Sequence, residues 1–537
     1  MKINKTLLAL VITPLLISCS GEINFDFNPP SVDVDSISVG EIHRDTLTGN
    51  IAEEDGKVIF DFYEVSDFHG AVNYSVEDKT IGLTRLGDYF SKKRADNPGG
   101  TIILSSGDMF QGSAESNLTH GYIVNYSLNV MGFESMTVGN HEFDWSLDWL
   151  KKIQALKVDD YSIPFLGANV FDKSTGKIVD FLQPSTVITR GDYKIGIVGT
   201  LGDGANKSIM KSLVEGLEFK GELDIAKAEA ARLKSEENCD IVIWSSHRDA
   251  KELFGLGLNE ESGIDAVFGG HTHKNTPGEG EEPLINGSGI PFAETKNYGR
   301  GVAYAKLSID KTTREVALVA SGVDCEPYNN SSLSEHTEVK KIMDTYNTYI
   351  DPIKSQVIGN VDKEMDVSDT FSLTDLCVDT MRLAANKWGK ENGDIKVLAA
   401  FHNANGGVRA NLPAGEITFG SVYKSFPFDN EIIVAKTTGK KLKGFLEKGS
   451  SYGTWRDLSV LSKWEDLSDD EEVYYCTTDF MATSDSFKFG LKEDDLIRTG
   501  YIVRDAIAAR IKSQGSIKAD DFVRTDANPQ FQILSRR

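Results

Sequence analysis

Four apolar runs in the first half of the chain constrain its fold most: KVIFDFYEV (57–65), TIILS (101–105), CDIVIWS (239–245) and IDAVFGG (264–270). All four read as largely buried strands. Between them, IAKAEAARLKSE (225–236) has helical periodicity, and WSLDWLKKIQAL (145–156) follows a polar start and can form an amphipathic helix. Strands separated by such helices predict an α/β layered core. Five polar clusters sit where apolar runs stop: SDFHG (66–70), SGD (106–108), GNHEFD (139–144), SSH (245–247) and GGHTH (269–273). They hold five of the nine histidines, with Asp67, Asp108 and Asn140. Open α/β architectures place function where strands give way to loops at their carboxyl ends. Unrelated core histidines would not track those ends.

The residue types point to a hydrolytic site with two metals. Asp67 and His69 are two apart, as are His271 and His273, so an extended backbone would point both members of each pair the same way. Asp108 is the natural bridge, because a carboxylate has one oxygen for each ion. Asn140 offers a neutral amide oxygen. The clusters contain no cysteine, which argues against a structural zinc knuckle; imidazole and oxygen ligands suit Mn, Zn, Fe or Co. His141 reads differently, as a catalytic imidazole facing the substrate, with Asp144 near enough in sequence to orient its ring.

The ends and the composition bound the remainder. Residues 1–19 read as a targeting segment, with Lys2 and Lys5 ahead of LLALVITPLLI, and Leu16-Ile17-Ser18-Cys19 resembles a bacterial lipoprotein signal that leaves Cys19 lipidated. Residues 20–56 are polar without a sustained period and read as a flexible tether. The chain beyond residue 56 is too long for one ordinary core. It predicts a domain at 57–330, a linking helix at 331–352 ended by Asp351-Pro352, and a second α/β domain at 353–537. Cys239, Cys325, Cys377 and Cys476 lack Cys-x-x-Cys spacing and leave room for one or two disulfides. A net charge of −24 argues against a nucleic-acid polymer as partner, though not against a small phosphate ester.

DFHG, SGDMFQGS, VGNHEFDW, SSH and GGHTH, joined by ANGGVRANLPAGEITFGSVYKSFPFDNEI (404–432) and FMATSD (480–485), resemble the 5'-nucleotidase family of secreted bacterial metallophosphoesterases. The resemblance covers nearly all of 57–530. It implies a layered β-sandwich metallophosphoesterase domain flanked by helices, followed by a smaller α/β substrate-binding domain. It also implies two divalent metal ions, one held by Asp67, His69, Asp108 and His273 and the other by Asp108, Asn140, His247 and His271. His141, oriented by Asp144, resembles the family's transition-state-stabilising histidine. Arg409 is similar to a phosphate-contacting arginine, Phe428 and Phe480 to two aromatics that sandwich a nucleobase, and Asp485 to a carboxylate at the nucleoside end. Asn405 is a further substrate-binding candidate.

The activity so implied is metal-dependent hydrolysis of 5'-nucleoside monophosphates to nucleoside and phosphate by hydroxide attack. The alternatives are a 2',3'-cyclic nucleotide phosphodiesterase, a nucleotide-sugar pyrophosphohydrolase, a phosphatase for another ester, and a non-catalytic surface nucleotide-binding protein. The partner would be a small phosphate ester, with the membrane engaged only through the lipid anchor and no obligate protein partner. A phosphate site in one domain and a base site in the other would imply domain rotation or closure in each cycle. The location would be the outer membrane, facing periplasm or cell surface.

Three departures from the family pattern bear on the substrate. MDVSDTFSLTDL (365–376) contains no arginine where the family has one, and Asp366 and Asp369 would repel a phosphate if they pointed inward. Asn403 and Asn405 flank the expected asparagine position. FMATSD is one residue shorter than the familiar loop. Arg248, after His247, has two readings: a replacement phosphate contact or a charge facing solvent.

Overall fold

The computed structural model describes residues 23–25, 27, 31–447, 453–456, 467–484, 487, 489–525 and 529–531. Cys19 and Asp485 lie outside the described residues, as does the side chain of Asn405.

Lys57–Glu64 pairs in parallel with Thr101–Ser105, and the sheet continues in parallel through Ser135–Thr137 to Phe165–Leu166. Its other edge is the antiparallel pair Gly301–Asp310 and Val316–Cys325. A second sheet places Ile241–His247 between Tyr193–Leu201 and Ala266–Gly269, all parallel, with Pro291–Glu294 beyond. Strand periodicity assigns the faces. Phe60, Phe62, Ile102 and Leu104 meet Ile197, Ile243 and Phe268 between the two sheets. Ile103, on the opposite face of its strand, packs with Leu86 and Phe90 of the helix Gly82–Asp96. Val242 and Trp244 turn outward onto Ala226, Ala230 and Leu233 of the helix Glu222–Ser235. The result is a helix–sheet–sheet–helix sandwich. Each fully buried phenylalanine in it contributes about 1.5–3 kcal/mol.

The helix Thr337–Lys354 leads into the second domain. Pro352 does not stop it, contrary to expectation. Proline disturbs only the turn before it, and the last turn is secured by Ser355 N donating to Asp351 O (3.0 Å) and by burial of Ile353 in the second core. The second domain orders Gly453–Arg456, Val397–His402, Glu472–Thr478, Glu431–Thr438 and Ile497–Ile502 in one sheet. The helices Ser372–Glu391 and Val503–Gln514 cover one face through Leu376, Met381 and Ile507. The other face packs on Leu442 and Leu446 of Gly439–Glu447.

The segment expected to be a tether is packed. Val34 and Ile42 are buried in the first core. Asp45 binds Arg94 (3.2 Å), His336 (2.9 Å) and Ser91 (2.9 Å). Upstream, Phe25 is buried in the second core near Tyr501 (5.8 Å), and Phe27 lies against Phe419 (5.3 Å). Polar composition hid a few well-spaced apolar anchors. Cys239, Cys325, Cys377 and Cys476 are all free, so no disulfide joins them. Among the described residues, no helix is long and apolar enough to cross a membrane.

Candidate active site

Both sheets of the sandwich deliver the polar clusters to one rim. Asp67 and His69 follow Lys57–Glu64, Asp108 follows Thr101–Ser105, and Asn140 follows Ser135–Thr137. His247 ends Ile241–His247, and His271 and His273 follow Ala266–Gly269. Beneath them the sheets are pinned together: Thr137 Oγ1 donates to Ser245 Oγ (2.7 Å), which lies 3.0 Å from Ser106 Oγ.

Potential ligand atoms gather in overlapping groups, Asp67–His69–His273, Asp108–His247–His271 and His69–Asp108–His141. Bonds to neighbours fix which nitrogen each ring presents. A carbonyl can only accept, so His69 donates through Nδ1 to Gln111 O (2.9 Å) and His247 through Nδ1 to Ser106 O (2.7 Å). In its neutral form each ring then turns an unprotonated Nε2 toward the cluster. His247 Nε2 lies 3.1 Å from Asp108 Oδ2 yet makes no hydrogen bond, and Asn140 Oδ1 is buried without a partner. His69 Nε2 is 3.0 Å from His273 Nε2, which is 3.3 Å from Asp67 Oδ1. Lone pairs facing one another in a buried place are costly unless cations lie among them. The donor set thus fits a binuclear divalent-metal centre.

The backbone corrects one expectation. Asp67, His69, Asp108, His271 and His273 are not extended; their φ values are 51°, 48°, 55°, 76° and 60°. The left-handed region is uncommon for residues with a Cβ and costs about 1 kcal/mol or more at each. Tight turns there fold each pair of ligands back toward the cluster. Strain of this kind persists only where the surroundings over-determine it.

His141 Nδ1 lies 2.8 Å from Asp144 Oδ2, and its backbone N–H donates to Asp108 Oδ1 (2.8 Å). Burial works against a charged ring, but the carboxylates of Asp144 and Asp108 outweigh it and hold the His141 pKa above its ordinary value. His271 is pushed down to about 4 by burial and by the neighbouring His247, which suits a neutral donor.

A cleft between the domains adjoins this cluster. A cavity of about 260 Å³ is lined by His141, Asp144 and Trp145 from the first domain and by Asn403, Arg409, Phe428 and Phe480 from the second. Phe428 stacks on His141 (5.7 Å), with the Arg409 guanidinium 5.2 Å from its ring centre. Gln111 and Asn117 donate across the cleft to Pro427 O (3.2 and 2.7 Å). A second cavity of about 590 Å³ also reaches Gln111 and Arg409, on the side of His69, Tyr298 and Arg300.

The departures resolve locally. Asp366 accepts from Ser368 N (3.1 Å), Asp369 N (2.7 Å) and Thr370 N (2.9 Å), so it closes its own turn. Of the two flanking asparagines, Asn403 lines the smaller cavity and carries a buried, unpartnered Oδ1. Arg248 does neither thing expected of it. It is tied to the buried Glu222 (3.0 Å) and to Glu252 (2.8 Å) and lines neither cavity.

Sequence reasoning passed over Glu142. Its buried carboxylate accepts from Asp108 N (2.7 Å), Met109 N (2.8 Å) and Gly139 N (2.6 Å), joining two ligand loops. The signal was an acidic residue inside GNHEFD with no assigned work.

Residues 60–275 match the family model for calcineurin-like phosphoesterases, and residues 357–486 match that for the 5'-nucleotidase C-terminal domain. The chain is 27% identical over 426 residues to Endonuclease YhcR of Bacillus subtilis, covering 74% of this chain and 33% of that protein. It therefore spans about a third of that relative. Protein UshA of Salmonella pullorum is 23% identical over 491 residues, covering 81% of this chain and 87% of its own. Among solved structures, a 5'-nucleotidase precursor from Thermus thermophilus superposes with a TM-score of 0.66 at 19% identity, covering 86% of this chain and 97% of that one. At that identity the superposition speaks for the fold.

Proposed function

We propose that this chain, a calcineurin-like phosphoesterase domain joined to a 5'-nucleotidase C-terminal domain, hydrolyses 5'-nucleoside monophosphates to nucleoside and phosphate. The observation that carries the substrate is the cleft in which Phe428 and Phe480 share a cavity with His141 and Arg409. A planar base between two aromatic rings gains about 1–3 kcal/mol with little regard to its edge pattern.

In this reading Asp67, His69, Asp108 and His273 would hold one ion, and Asp108, Asn140, His247 and His271 would hold the other. When bound, two divalent ions supply Lewis acidity, activating water and drawing charge from phosphoryl oxygens. The chain's residues do the rest. His141, its pKa raised by the carboxylates of Asp144 and Asp108 against the effect of burial, would donate to an equatorial phosphoryl oxygen as negative charge grows there. Arg409 meets the same charge from the second domain, while Asn403 offers its free Oδ1 to the nucleoside. The bonds to Pro427 draw the cleft together around the ester and exclude water.

The second cavity favours one further reading: a diester or diphosphate whose second substituent extends past His69 and Arg409. Lipidation at Cys19 and an extracytoplasmic location complete the proposal; palmitate labelling that survives Cys19→Ser would count against the anchor. The deciding experiment is turnover across nucleoside monophosphates, cyclic nucleotides, nucleotide sugars and simple esters with Mn or Zn added. If AMP and its relatives stay inert while another ester turns over, the nucleotidase reading fails.

A further inference from the structure

We propose that Glu294–Tyr298 (ETKNY) is a sixth segment of the site, a positioning unit that sets the metal-binding loops; the proposal rests on the two-metal reading and not on the substrate. Glu294 ends the strand Pro291–Glu294 and is fully buried. Its carboxylate accepts from Ala250 N (2.9 Å) through one oxygen, and from Thr272 Oγ1 (2.6 Å) and Thr272 N (3.3 Å) through the other. Ala250 lies three residues after His247, and Thr272 separates His271 from His273. One carboxylate therefore braces both histidine loops, adding to the bonds that already join them, Gly270 N to Arg248 O (2.9 Å) and Thr272 Oγ1 to Asp249 Oδ2 (3.0 Å).

The next residues reach the remaining loop. Thr295 Oγ1 accepts from Ser66 N (3.0 Å), immediately before Asp67. Tyr298 N donates to Asp67 O (2.9 Å), and its ring lies 5.8 Å from that of His69. The Asn297 amide is 3.2 Å from His273 Nδ1. The atom placed there is Nδ2, which only donates; turning the amide end for end brings Oδ1 to the same place, where it accepts from an Nδ1–H and leaves His273 Nε2 free to coordinate.

A strand end alone does not require these residues. An apolar side chain would end the strand without the cost of burying a carboxylate. What requires an acceptor here is the strain beside it: His271 and His273 both hold positive φ on either side of Thr272. Two such residues flanking one position stay in place only if that position is tied from outside. Glu294 supplies the tie to both the hydroxyl and the backbone N–H of Thr272, with Asp249 Oδ2 also 3.0 Å from the hydroxyl.

The test uses the full chain and measures bound metal directly. Wild type, Glu294→Ala, Glu294→Gln and Asn297→Ala are dialysed against a Mn²⁺ series, and metal per chain is counted by mass spectrometry. Melting of the metal-free forms is followed alongside. The expected result is two ions in wild type, with Glu294→Ala weakening both by about 10–100-fold, the range for residues that orient ligands. Glu294→Gln, which can still accept through one oxygen, should fall between. Asn297→Ala should weaken only the ion held by His273. Should Glu294→Ala fail to fold, Asn297→Ala decides, and unchanged affinity for both ions overturns the proposal. Lower metal-free melting with wild-type metal affinity would mark ordinary scaffolding and overturn it equally. A wild type that binds no second ion would instead overturn the two-metal reading beneath it.

Discussion

His69 and His247 show how much of the site is decided by single atoms: in each neutral ring one backbone carbonyl takes the proton and leaves the other nitrogen bare. His141 is set by Asp144 instead, and the difference separates a ligand from a proton carrier. His141→Ala should lower kcat by about 10²–10³-fold, the usual loss for one donor to developing charge, while metal counting still finds both ions. Equal loss of metal would make it a ligand after all. A second histidine gives a pH prediction. His402 is buried and its pKa is pushed down to about 4 by burial, with Nδ1 unpartnered. A depressed folded pKa means the fold prefers the neutral ring. That stability is present above pH 6.5 and lost as pH falls toward 4, up to about 3 kcal/mol. His402→Phe should flatten the loss in acid denaturation curves, and an unchanged slope would clear His402 of it. At this scale the residues proposed as ligands were legible because each sits in a short polar break beside an apolar run. Glu142 and Glu294 were not, because a carboxylate that serves backbone amides leaves no pattern of its own.

Element by element, the strand at 101–105 was read with its ends as found, and the helix at 225–236 is there with a small shift. These have strong periods or continuous apolar runs. The hairpin Gly301–Cys325 was not read, since Val316–Cys325 is an edge strand with only two of its ten residues buried and so carries little apolar signal. Turns were harder still. Extended geometry was assumed where the ligands are left-handed, because spacing of two residues is compatible with either. One turn gives a sharp prediction. A Cβ on Gly139 would overlap Asp108 and crowd the His247 ring, and neither can retreat, both being buried. Gly139→Ala should therefore displace two ligands at once and cost about 10²-fold or more in activity. Metal content should fall with it; full metal occupancy with full activity would show that the turn yields.

Across the whole molecule, the two domains were separable in the sequence, but their fastening was not. The base and phosphate sites were expected in different domains with rotation between them; here the residues proposed for them, His141, Arg409, Phe428 and Phe480, line one cleft bridged by Gln111, Asn117, Lys354–Glu115 (2.6 Å) and Lys424–Asp78 (2.7 Å). Beside these polar ties runs the segment taken for a tether. Its phenylalanines lie on the second domain and Val34, Ile42 and Asp45 on the first, with Val32 packed against both cores. Such a strap resists any rotation that would part its two ends. Replacing Phe25 and Phe27 by serine removes about 1.5–3 kcal/mol of packing per ring. That is enough to shift a domain equilibrium tenfold or more toward the open form. Only the closed cleft holds the whole substrate site, so KM should rise as the competent fraction falls, with kcat nearly unchanged. Spin labels at exposed Thr175 and Asp494, one in each domain, should report a broader and longer distance distribution in the double variant. If distances and KM both match the wild type, the strap is a passenger and the polar ties alone set the angle between the domains.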